Sequence, residues 1–431
     1  MRRINISFSL NNNKDIIITN TSNDIEIETF FITPNITSYT ISTNIDKIKS
    51  IIDGYNITSF NMEFERGIDE NIVNQILTKM NDILYCYYPK LPTITLDGVS
   101  SHSRELMDEL IKYKDIVMDP NKNPETYLKY VLSRVPRNYK ANIFRISKDK
   151  QYTPTKMFPL TKGVGAGSSF DAYFVHIQPK IINRPKNIYL VGKAVTFDTG
   201  GLNLKVGKSH IEDMKVDMIG SAIIVSVLNL LSKQSHDTKH NIHLIIPIVE
   251  NMINGNAIRP GMVISSMSGK LVEIVNTDAE GRLCLADGLD YINIYLMKKF
   301  KSNNNLIIDI ATLTGNTEYI TSGISGIIMG NDTSKLLCSK LIEVGESTGE
   351  YLDYLKLRPE YMDFLKTPVG DIANLTRTEA KCGCIIGGTF LNQFTNPNTP
   401  WIHLDVASTT FIDGLPTSYG IYLLYCFIKQ L

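Results

Sequence analysis

The chain carries no net charge, because 44 lysine and arginine residues balance 44 aspartate and glutamate residues among its 431. A neutral total does not point to nucleic acid or to an acidic membrane as a partner. The N-terminus soon turns polar, at residues 11–15, so the apolar core of a signal peptide is missing. Apolar runs such as residues 421–428 are too short to span a bilayer. These absences predict a cytoplasmic protein without a membrane or nucleic-acid partner.

Cysteine is also scarce, and no two cysteines form a C-x-x-C motif. Neither a disulfide framework nor a zinc knuckle is therefore indicated. We interpret the short motif Cys382-Gly383-Cys384 as incidental. The six cysteines are Cys86, Cys284, Cys338, Cys382, Cys384 and Cys426.

The pattern of apolar residues divides the chain into a small N-terminal domain, residues 1–112, a linker helix, residues 113–138, and a large C-terminal domain, residues 139–431. In the first, Asp69 caps a predicted helix that has Ile72, Ile76, Met80 and Ile83 on one face. The linker is punctuated by proline between residues 119 and 136.

From residue 139 onward, predicted strands alternate with predicted helices, and residues 241–247, 306–310 and 401–406 have the composition of buried strands. This alternation predicts an α/β protein whose C-terminal domain has a mostly parallel, doubly wound sheet, beside a smaller N-terminal α/β domain.

The most informative segment is Asn276-Thr277-Asp278-Ala279-Glu280-Gly281-Arg282-Leu283. In an extended segment alternate side chains share a face, so Asp278 and Glu280 can converge on one cation while Arg282 holds an anion beside it. A predicted strand, residues 271–275, precedes the segment, and a helical pattern follows it. Open α/β sheets bind ligands at such strand-to-helix junctions. The alternative is a solvated turn with acidic residues at a helix start.

Lys193 interrupts the apolar run of residues 188–197, which Asp198-Thr199-Gly200-Gly201 follows. A buried ammonium needs a partner. One alternative is a structural ion pair with a carboxylate. The other is a metal ion bound by neutral lysine. Holding the lysine neutral at pH 7 costs about 4–5 kcal/mol and requires four acids nearby, Asp198, Asp217, Asp278 and Glu280.

These segments together resemble the leucine aminopeptidase or cytosol aminopeptidase family, the M17 metallopeptidases. The resemblance is dense over residues 186–320, weaker towards the C-terminus and faint before residue 115. The segments that carry it are Val191-Gly192-Lys193, residues 197–201, Leu204-Lys205, residues 214–218, Val249-Glu250-Asn251-Met252, Asn276 to Leu283, residues 310–315 and Trp401-Ile402-His403-Leu404-Asp405.

The resemblance implies a catalytic metallopeptidase domain that removes N-terminal residues, preferring leucine or methionine, from peptides. It implies two divalent cations per subunit, Zn²⁺ with Mn²⁺ or Co²⁺ at an exchangeable site, with Asp198 and Glu280 shared between them and a water bridging them as nucleophile. The substrate amino group would bind one metal. The implied ligands are Lys193, Asp198, Asp217, Asp278 and Glu280.

Two further residues have catalytic roles by the same resemblance. Lys205 would stabilise the oxygen of the tetrahedral intermediate. Arg282 would hold a bicarbonate ion that serves as general base. A homohexamer is also implied. The loop at residues 206–210 makes the spacing from Asp198 to Asp217 one residue longer than in the family pattern, and this leaves the subsite preference open.

Six residues would contact the substrate by the same resemblance, five of them as an apolar specificity pocket and Asn276 beside it. For each of the five taken alone, the alternative is ordinary core packing. The five are Met214, Thr312, Leu313, Gly315 and Ala407.

Three other classes of protein fit parts of the sequence. Phe197-Asp198-Thr199-Gly200 matches the aspartic-protease triplet, but those enzymes are all-β. Residues 162–167 resemble a dinucleotide loop, yet a predicted strand, residues 170–177, follows where phosphate binding needs a helix. A DNA-binding role is disfavoured because residues 1–112 hold ten basic and fifteen acidic residues. A narrow dipeptidase, such as a Cys-Gly hydrolase, and a binding or regulatory protein on the same scaffold stay open as alternatives.

Overall fold

The computed structural model describes residues 2–9, 17–20, 24–30, 37–52, 57–84, 93–148, 156–207, 210–233, 239–302, 304–378, 382–412 and 414–431. Cys86 and two residues of the lengthened loop, 208 and 209, lie outside these ranges.

The N-terminal domain is a five-stranded sheet covered by two helices. Its strand order is β2-β3-β1-β4-β5, and every adjacent pair is parallel except β2 with β3. The elements are β1 Arg2–Ser9, β2 Ile17–Asn20, β3 Asp24–Phe30, α1 Ser38–Ile52, β4 Ile57–Phe64, α2 Glu70–Leu84 and β5 Thr93–Asp97.

The predicted amphipathic helix of this domain is α2. Asp69 caps it, since the Asn71 N–H donates to Asp69 Oδ1 over 2.9 Å. Ile76, Met80 and Ile83 are buried, and Ile72 packs against the same core. The prediction for this helix is therefore confirmed.

Two helices connect the domains, α3 Ser101–Met118 and α4 Pro124–Ser133. The Asn123 side chain accepts hydrogen bonds from the first turn of α4, and proline stands at its start. Because α3 runs through residue 112, the predicted boundary there falls inside a helix. The domain boundaries as such stay a prediction.

The large domain has helices on both faces of a nine-stranded sheet. Its order is β15-β14-β17-β13-β8-β10-β7-β6, and β9 also pairs with β10. The strands of this domain are β6 Tyr139–Ile146, β7 Ala172–Pro179, β8 Lys186–Gly192, β9 Ala194–Asp198, β10 His240–Asn251, β11 Val263–Ser265, β12 Leu271–Glu273, β13 Asn305–Ala311, β14 Gly326–Gly330, β15 Leu352–Tyr354, β16 Ile372–Ala373, β17 Trp401–Asp405, β18 Phe411–Ile412 and β19 Leu415–Pro416.

The helices of this domain are α5 Pro159–Val164, α6 Ile219–Lys233, α7 Gly281–Tyr291, α8 Met297–Phe300, α9 Glu318–Thr321, α10 Lys335–Thr348, α11 Gly383–Asn392 and α12 Ile421–Gln430. A π-turn, Ile292–Leu296, joins α7 to α8. Short 3₁₀ helices are Gly165–Gly167, Ile211–Val216, Gly315–Thr317, Asp332–Ser334 and Pro359–Leu365.

The sheet is mostly parallel, as predicted. The pairs β8/β10, β9/β10, β8/β13, β13/β17 and β14/β15 are parallel, whereas β6/β7, β7/β10 and β14/β17 are antiparallel. One apolar core lies between the sheet and α3, α4, α6, α10 and α12, and a second lies on the opposite face under α5, α7 and α11. Helices on both faces bury the central strands, which are therefore rich in apolar residues.

One prediction about the fold needs correction. The strand before the acidic segment, β12, does not belong to the large sheet, but to a separate three-stranded sheet of order β11-β12-β16. Local sequence identifies a strand but not the sheet that it joins, because strand pairing is a long-range contact. The predicted strand-to-helix junction itself is present, since α7 begins at Gly281.

The suspected dinucleotide loop ends in a 3₁₀ turn that β7 follows, so it lacks the helix that phosphate binding needs. Within the described ranges, one helical stretch, Ile211–Lys233, is long and apolar enough to cross a bilayer. Since 83% of its most apolar window is buried inside the protein, it has the character of a core helix.

Candidate active site

The predicted site residues gather where strands of the large sheet end. Lys193 lies at a break between β8 and β9, which both pair with β10. Its N–H donates to Ile310 O over 3.1 Å, and its carbonyl accepts from the Ser221 N–H over 2.9 Å. The apolar run of residues 188–197 is therefore two strands, with Lys193 at the break between them.

Lys193 is buried and contacts two predicted metal ligands. Its Nζ lies 2.7 Å from Asp217 Oδ1 and 2.9 Å from Glu280 Oε1, and it also donates to Thr312 O over 2.9 Å. A Cβ atom on Gly281 would lie 2.5 Å from Lys193 Cε, so only glycine leaves room for this side chain. The partner that the sequence required for a buried lysine is thus a pair of carboxylates.

Lys205 makes a second pair of contacts with the predicted ligands. Its Nζ lies 3.0 Å from Asp198 Oδ2 and 2.6 Å from Asp278 Oδ1. The loop that carries Lys205 begins at Gly200, which has a φ of +84°. A Cβ there would stand 2.4 Å from Asn203 O and 2.9 Å from Asp278 Oδ1, so glycine is required for both reasons.

Asp198 is fixed from the opposite side. Its Oδ1 accepts hydrogen bonds from the Gly200 N–H and from Asn251 Nδ2, both over 2.8 Å. Asn251 Nδ2 also donates to Thr277 O over 3.1 Å, so this amide ties the end of β9 to the acidic segment. Asn251 belongs to a segment that carried the family resemblance, but the sequence alone did not reveal this role.

The carboxylates form a group suited to a metal ion. Ligand atoms of Asp198, Asp217 and Glu280 lie within 4.8 Å of one another, and all three side chains are buried. Asp217 Oδ2 and Glu280 Oε2 have no hydrogen-bond partner. Buried carboxylate oxygens without partners are rare, because each loses its hydrogen bonds to water and gains none from the protein. The donor set therefore fits divalent cations, which take oxygen ligands of this kind.

Charges in the cluster shift one another's pKa values. Burial alone would lower the pKa of Lys193, but Asp217 and Glu280 outweigh it and raise that pKa above its ordinary value. Burial raises the pKa of Asp198, and the charge of Glu280 adds to the effect. For Glu280 the two lysines outweigh burial and lower the pKa. In the protein alone, Lys193 is therefore a protonated ion-pair partner.

Arg282 lies on α7 beside this cluster, with 3% of its surface exposed. Nη1 donates to Asn374 O over 2.9 Å, and Nε has no partner. Within the described residues no carboxylate forms an ion pair with it. Burial lowers the pKa of Arg282 to about 10. A buried guanidinium with a free N–H edge is suited to a planar anion.

Asn374 holds the acidic segment in place, and sequence reasoning missed it. Its Oδ1 accepts from the Val275 N–H over 2.8 Å, and its Nδ2 donates to Asn276 O over 2.7 Å. Since its carbonyl also binds Arg282, one residue positions both ends of the segment. It lies more than ninety residues along the chain, and nothing in the local sequence indicates this contact.

Asn276, predicted to contact substrate, has a structural hydrogen bond here. Its Oδ1 accepts from the Asp278 N–H over 2.7 Å and so shapes the turn that presents Asp278.

None of the five predicted pocket residues is fully buried, although Leu313 packs against the edge of an apolar core. Gly315 is exposed, with no atom within 4 Å of where a Cβ would stand, and the other four, Met214, Thr312, Leu313 and Ala407, are half-buried. Thr312 Oγ1 donates to Asp217 Oδ1 over 2.8 Å, which connects Thr312 to one of the predicted metal ligands.

Asp405, at the end of β17, accepts hydrogen bonds from two of the loops that carry the predicted pocket residues. Its Oδ1 accepts from the Leu313 N–H over 3.1 Å and from the Ala407 N–H over 3.4 Å, while Thr314 Oγ1 donates to Oδ2 over 2.6 Å. Asp405 therefore brings two of the predicted pocket residues, Leu313 and Ala407, together at the end of β17.

Together, the fold and the site define an α/β protein with a buried carboxylate and lysine cluster at strand ends, a class that binds divalent cations. The profile of the cytosol aminopeptidase family, catalytic domain, matches residues 112–421. The chain belongs to this family.

Curated relatives agree with this assignment. A probable cytosol aminopeptidase of Rickettsia canadensis is 38% identical over 276 residues, which cover 62% of this chain and 53% of the relative. One of Prochlorococcus marinus is 39% identical over 281 residues, which cover 62% and 54%. The matched part of the chain thus spans about half the length of these relatives.

Solved structures have the same fold. A leucine aminopeptidase of Caenorhabditis elegans, LAP1, has a TM-score of 0.80 at 22% identity, over 94% of this chain and 84% of that one. The bottromycin maturation enzyme BotP, in complex with Mn, has a TM-score of 0.79 at 20% identity, over 99% of both chains. These likenesses confirm the predicted fold class.

Proposed function

We propose that the protein is a metal-dependent aminopeptidase that removes an N-terminal residue from peptides. The observation that carries the proposal is the buried group of Asp198, Asp217 and Glu280, in which two carboxylate oxygens have no partner. Membership of a peptidase family supports it independently.

Two divalent cations fit this donor set, with Lys193, Asp198, Asp217, Asp278 and Glu280 as the residues that would hold them. Such ions polarise a carbonyl group and bring the pKa of water from 15.7 to about 7. Zn²⁺, with Mn²⁺ or Co²⁺ at the more exchangeable position, is the proposed composition. The Mn of BotP supports the general type of ion but not the choice among these three.

Lys193 would have to bind as a neutral amine. From its ordinary pKa, holding a lysine neutral at pH 7 costs about 4–5 kcal/mol, and here Asp217 and Glu280 raise the pKa further. A dication among four carboxylates supplies the opposing energy, because it replaces the proton as the positive charge that they face. The structural ion pair and the metal ligand are thus two states of one site.

Lys205 is proposed as the group that stabilises negative charge on the substrate carbonyl oxygen. Its side chain is 14% exposed and ends beside Asp198 and Asp278, whose charges raise its pKa despite burial. It therefore stays protonated at neutral pH and can donate to an oxyanion that forms next to the carboxylates.

Arg282 is proposed to hold bicarbonate, which would accept a proton from the attacking water. Three features support this role: the guanidinium is buried, its Nε–H is free, and no carboxylate neutralises it within the described ranges. Asn374 fixes its direction through the bond to Nη1.

The half-buried pocket residues suit an apolar side chain such as leucine or methionine. Leu313 and Met214 supply apolar surface, and the absence of a side chain at Gly315 leaves open space. A homohexamer in the cytoplasm is proposed as the working form, for which exposed apolar side chains such as Tyr319, 88% exposed, and Ile324, 71% exposed, would suit contacts between copies. Size-exclusion chromatography with light scattering tests the hexamer.

The decisive experiment measures release of a fluorophore from a leucyl-amide substrate after chelation and re-addition of Zn²⁺, Mn²⁺ or Co²⁺. We expect metal-dependent cleavage of the free-amine substrate and none of its N-blocked analogue. Cleavage of the blocked analogue, or of neither compound with any metal, would contradict the proposal. A panel of dipeptides that includes Cys-Gly then separates a broad aminopeptidase from a narrow dipeptidase.

A further inference from the structure

The motif Cys382-Gly383-Cys384, interpreted as incidental from the sequence, has a specific geometry in the structure. The two Sγ atoms lie 3.4 Å apart at the start of α11. Cys382 precedes the first residue of the helix and is partly exposed, whereas Cys384 is buried against Ile327 and Met329 of β14. A disulfide bond needs a separation of about 2.05 Å, so a small movement of the helix start brings the sulfurs into bonding range.

Within the described ranges, the start of α11 lacks the side-chain hydrogen bond that would hold it in place. No side chain caps the helix, and the Ile386 N–H donates to Cys382 O over a long 3.4 Å. Gly383 fits closely, since a Cβ there would lie 2.5 Å from Asn316 Oδ1. The residue between the two cysteines must therefore be as small as glycine to fit beside Asn316.

The same helix forms one wall of the proposed active site. A Cβ on Gly387 would lie 3.0 Å from Leu313 Cδ2 and 3.5 Å from Arg282 Nη2. Gly387, in the turn of α11 that follows the cysteines, thus lies against both the predicted pocket residue Leu313 and the Arg282 guanidinium. Any shift of that turn is transmitted to Leu313 and Arg282 by direct packing, because protein interiors leave little free space.

We propose that Cys382 and Cys384 form a redox-active dithiol, which a low-molecular-weight disulfide oxidises reversibly to an intramolecular disulfide that displaces the first turn of α11. Within the described ranges no cysteine is in a disulfide, so this state is the reduced one. The effect on catalysis rests on the proposed aminopeptidase function, whereas the dithiol chemistry does not.

The reaction proceeds in two thiol–disulfide exchanges. Cys382, the more accessible thiol, loses its proton and attacks one sulfur of the small disulfide, which forms a mixed disulfide and releases one small thiol. Cys384 then loses its proton and attacks Cys382 Sγ, which forms the internal bond and releases the second small thiol. Two protein thiols and one small disulfide give one protein disulfide and two small thiols.

The order of these steps follows from the surroundings of the two sulfurs. Burial raises the pKa of Cys384, and the nearby Cys382 and Asp405 add to the effect, so this thiol is a poor first nucleophile. Its proximity compensates in the second step, because the exchange is then intramolecular. Disulfides in cytosolic proteins are usually transient and catalytic or redox-sensing.

The first test equilibrates the reduced protein with oxidised and reduced glutathione and analyses the peptides without reduction. We expect wild type to lose two hydrogen atoms from the peptide that contains residues 382–384 and to keep no glutathione. Cys384→Ser should instead retain one glutathione on Cys382. The control Cys426→Ser, at another partly exposed cysteine, should behave as wild type. Retention of both thiols, or a stable glutathione adduct on wild type, would overturn the proposal.

The second test compares the oxidised and reduced forms. We expect oxidation to lower kcat/KM for the leucyl-amide substrate by on the order of tenfold, since misplacement by about 1 Å can cost ~10²-fold. A dithiol reductant should restore activity, and the double variant Cys382→Ser with Cys384→Ser should be insensitive. Hydrogen exchange at residues 384–388 and 312–315 should increase on oxidation. A disulfide that changes neither hydrogen exchange nor activity would refute the coupling. If the reduced protein has no peptidase activity, hydrogen exchange alone decides whether the disulfide displaces α11.

Discussion

Two buried lysines of this protein have opposite surroundings. Lys114, on α3, pairs with Asp82 over 2.6 Å and donates to Asn81 O over 3.1 Å, and Asp82 Oδ1 also accepts from the Ser418 N–H over 3.0 Å. Within the described residues, Asp82 is the carboxylate that pairs with Lys114, and the pair joins the N-terminal domain to the C-terminal region.

Lys193 stands instead in a cluster where two lysines face four carboxylates, two of which have a buried oxygen without a partner. A pair in which one carboxylate faces one ammonium has a structural role, since its charges cancel and its hydrogen bonds are made. A cluster with more carboxylates than ammonium groups implies that a cation from solution balances the remaining negative charge. The two lysines therefore differ in the number of carboxylates per ammonium group around them, and not in how deeply they are buried.

The largest effect is expected from removing a carboxylate of the unbalanced cluster. Asp278→Ala should abolish metal at one position and reduce turnover to near background, because it removes a proposed direct ligand. Metal content by mass spectrometry and leucyl-amide hydrolysis check this outcome. Full metal content with wild-type turnover would show that Asp278 is not a ligand.

A smaller effect is expected at the second lysine of the same cluster. Lys205→Met keeps the carboxylates, so metal content should persist while turnover falls by about 100-fold or more, as for loss of an oxyanion donor. The same two measurements distinguish the roles. Loss of metal would make Lys205 a ligand instead.

Asn374 tests whether the geometry of the acidic segment matters beyond its charges. Asn374→Ala leaves every carboxylate in place, but removes the side-chain bonds to Val275 and Asn276. We expect a loss of about 10–100-fold in metal affinity or kcat, the range for an outer partner of a ligand. An unchanged melting temperature would separate positioning from unfolding, and unchanged kinetics and metal affinity would refute the role.

A substitution in the Lys114 and Asp82 pair should lower the free energy of unfolding and leave activity unchanged. Lys114→Met leaves Asp82 without its cation, and we expect a loss of up to about 3 kcal/mol, the lower end for a buried pair because Asp82 is 24% exposed. Urea unfolding measures this loss. Activity per folded molecule should match wild type, and a specific loss of turnover would contradict the comparison.

The smallest effect concerns Glu350, whose carboxylate accepts from the Gly420 N–H over 2.8 Å and forms no ion pair within the described residues. Burial raises the pKa of Glu350 to about 7. The folded state thus binds the proton more tightly than the unfolded chain, so stability is greatest below pH 4.5 for this group and falls as pH rises towards 7.

Glu350→Gln should remove this contribution. Unfolding free energies measured at several pH values between about 5 and 7 would then fall less steeply than in wild type, while the site carboxylates are unchanged. An identical slope in both proteins would show that Glu350 does not titrate there.

Much of the site could be predicted because its charged residues occur close together in short segments of the sequence. Asp278, Glu280 and Arg282 lie within five residues, and the apolar run around Lys193 required a partner for the ammonium. The pattern of apolar residues likewise predicted the α/β class and helix α2. Such features depend on local spacing, which a sequence displays directly.

The contacts of Asn374, Asn251 and Asp405 could not be predicted, because they join segments that are distant along the chain. For the same reason the sequence did not show that β12 belongs to a small separate sheet and not to the large one. Likewise, two cysteines separated by one glycine have no fixed distance in a sequence. Only the start of α11, packed against Asn316, holds their sulfurs 3.4 Å apart.

The sequence by itself determined the family, the fold class and the types of charged group available at the site. Tertiary structure decided which of these groups meet, because long-range strand pairing and loop packing set distances that spacing along the chain does not. It placed Lys193 at the break between two strands, left two carboxylate oxygens without partners, and put α11 against Leu313 and Arg282.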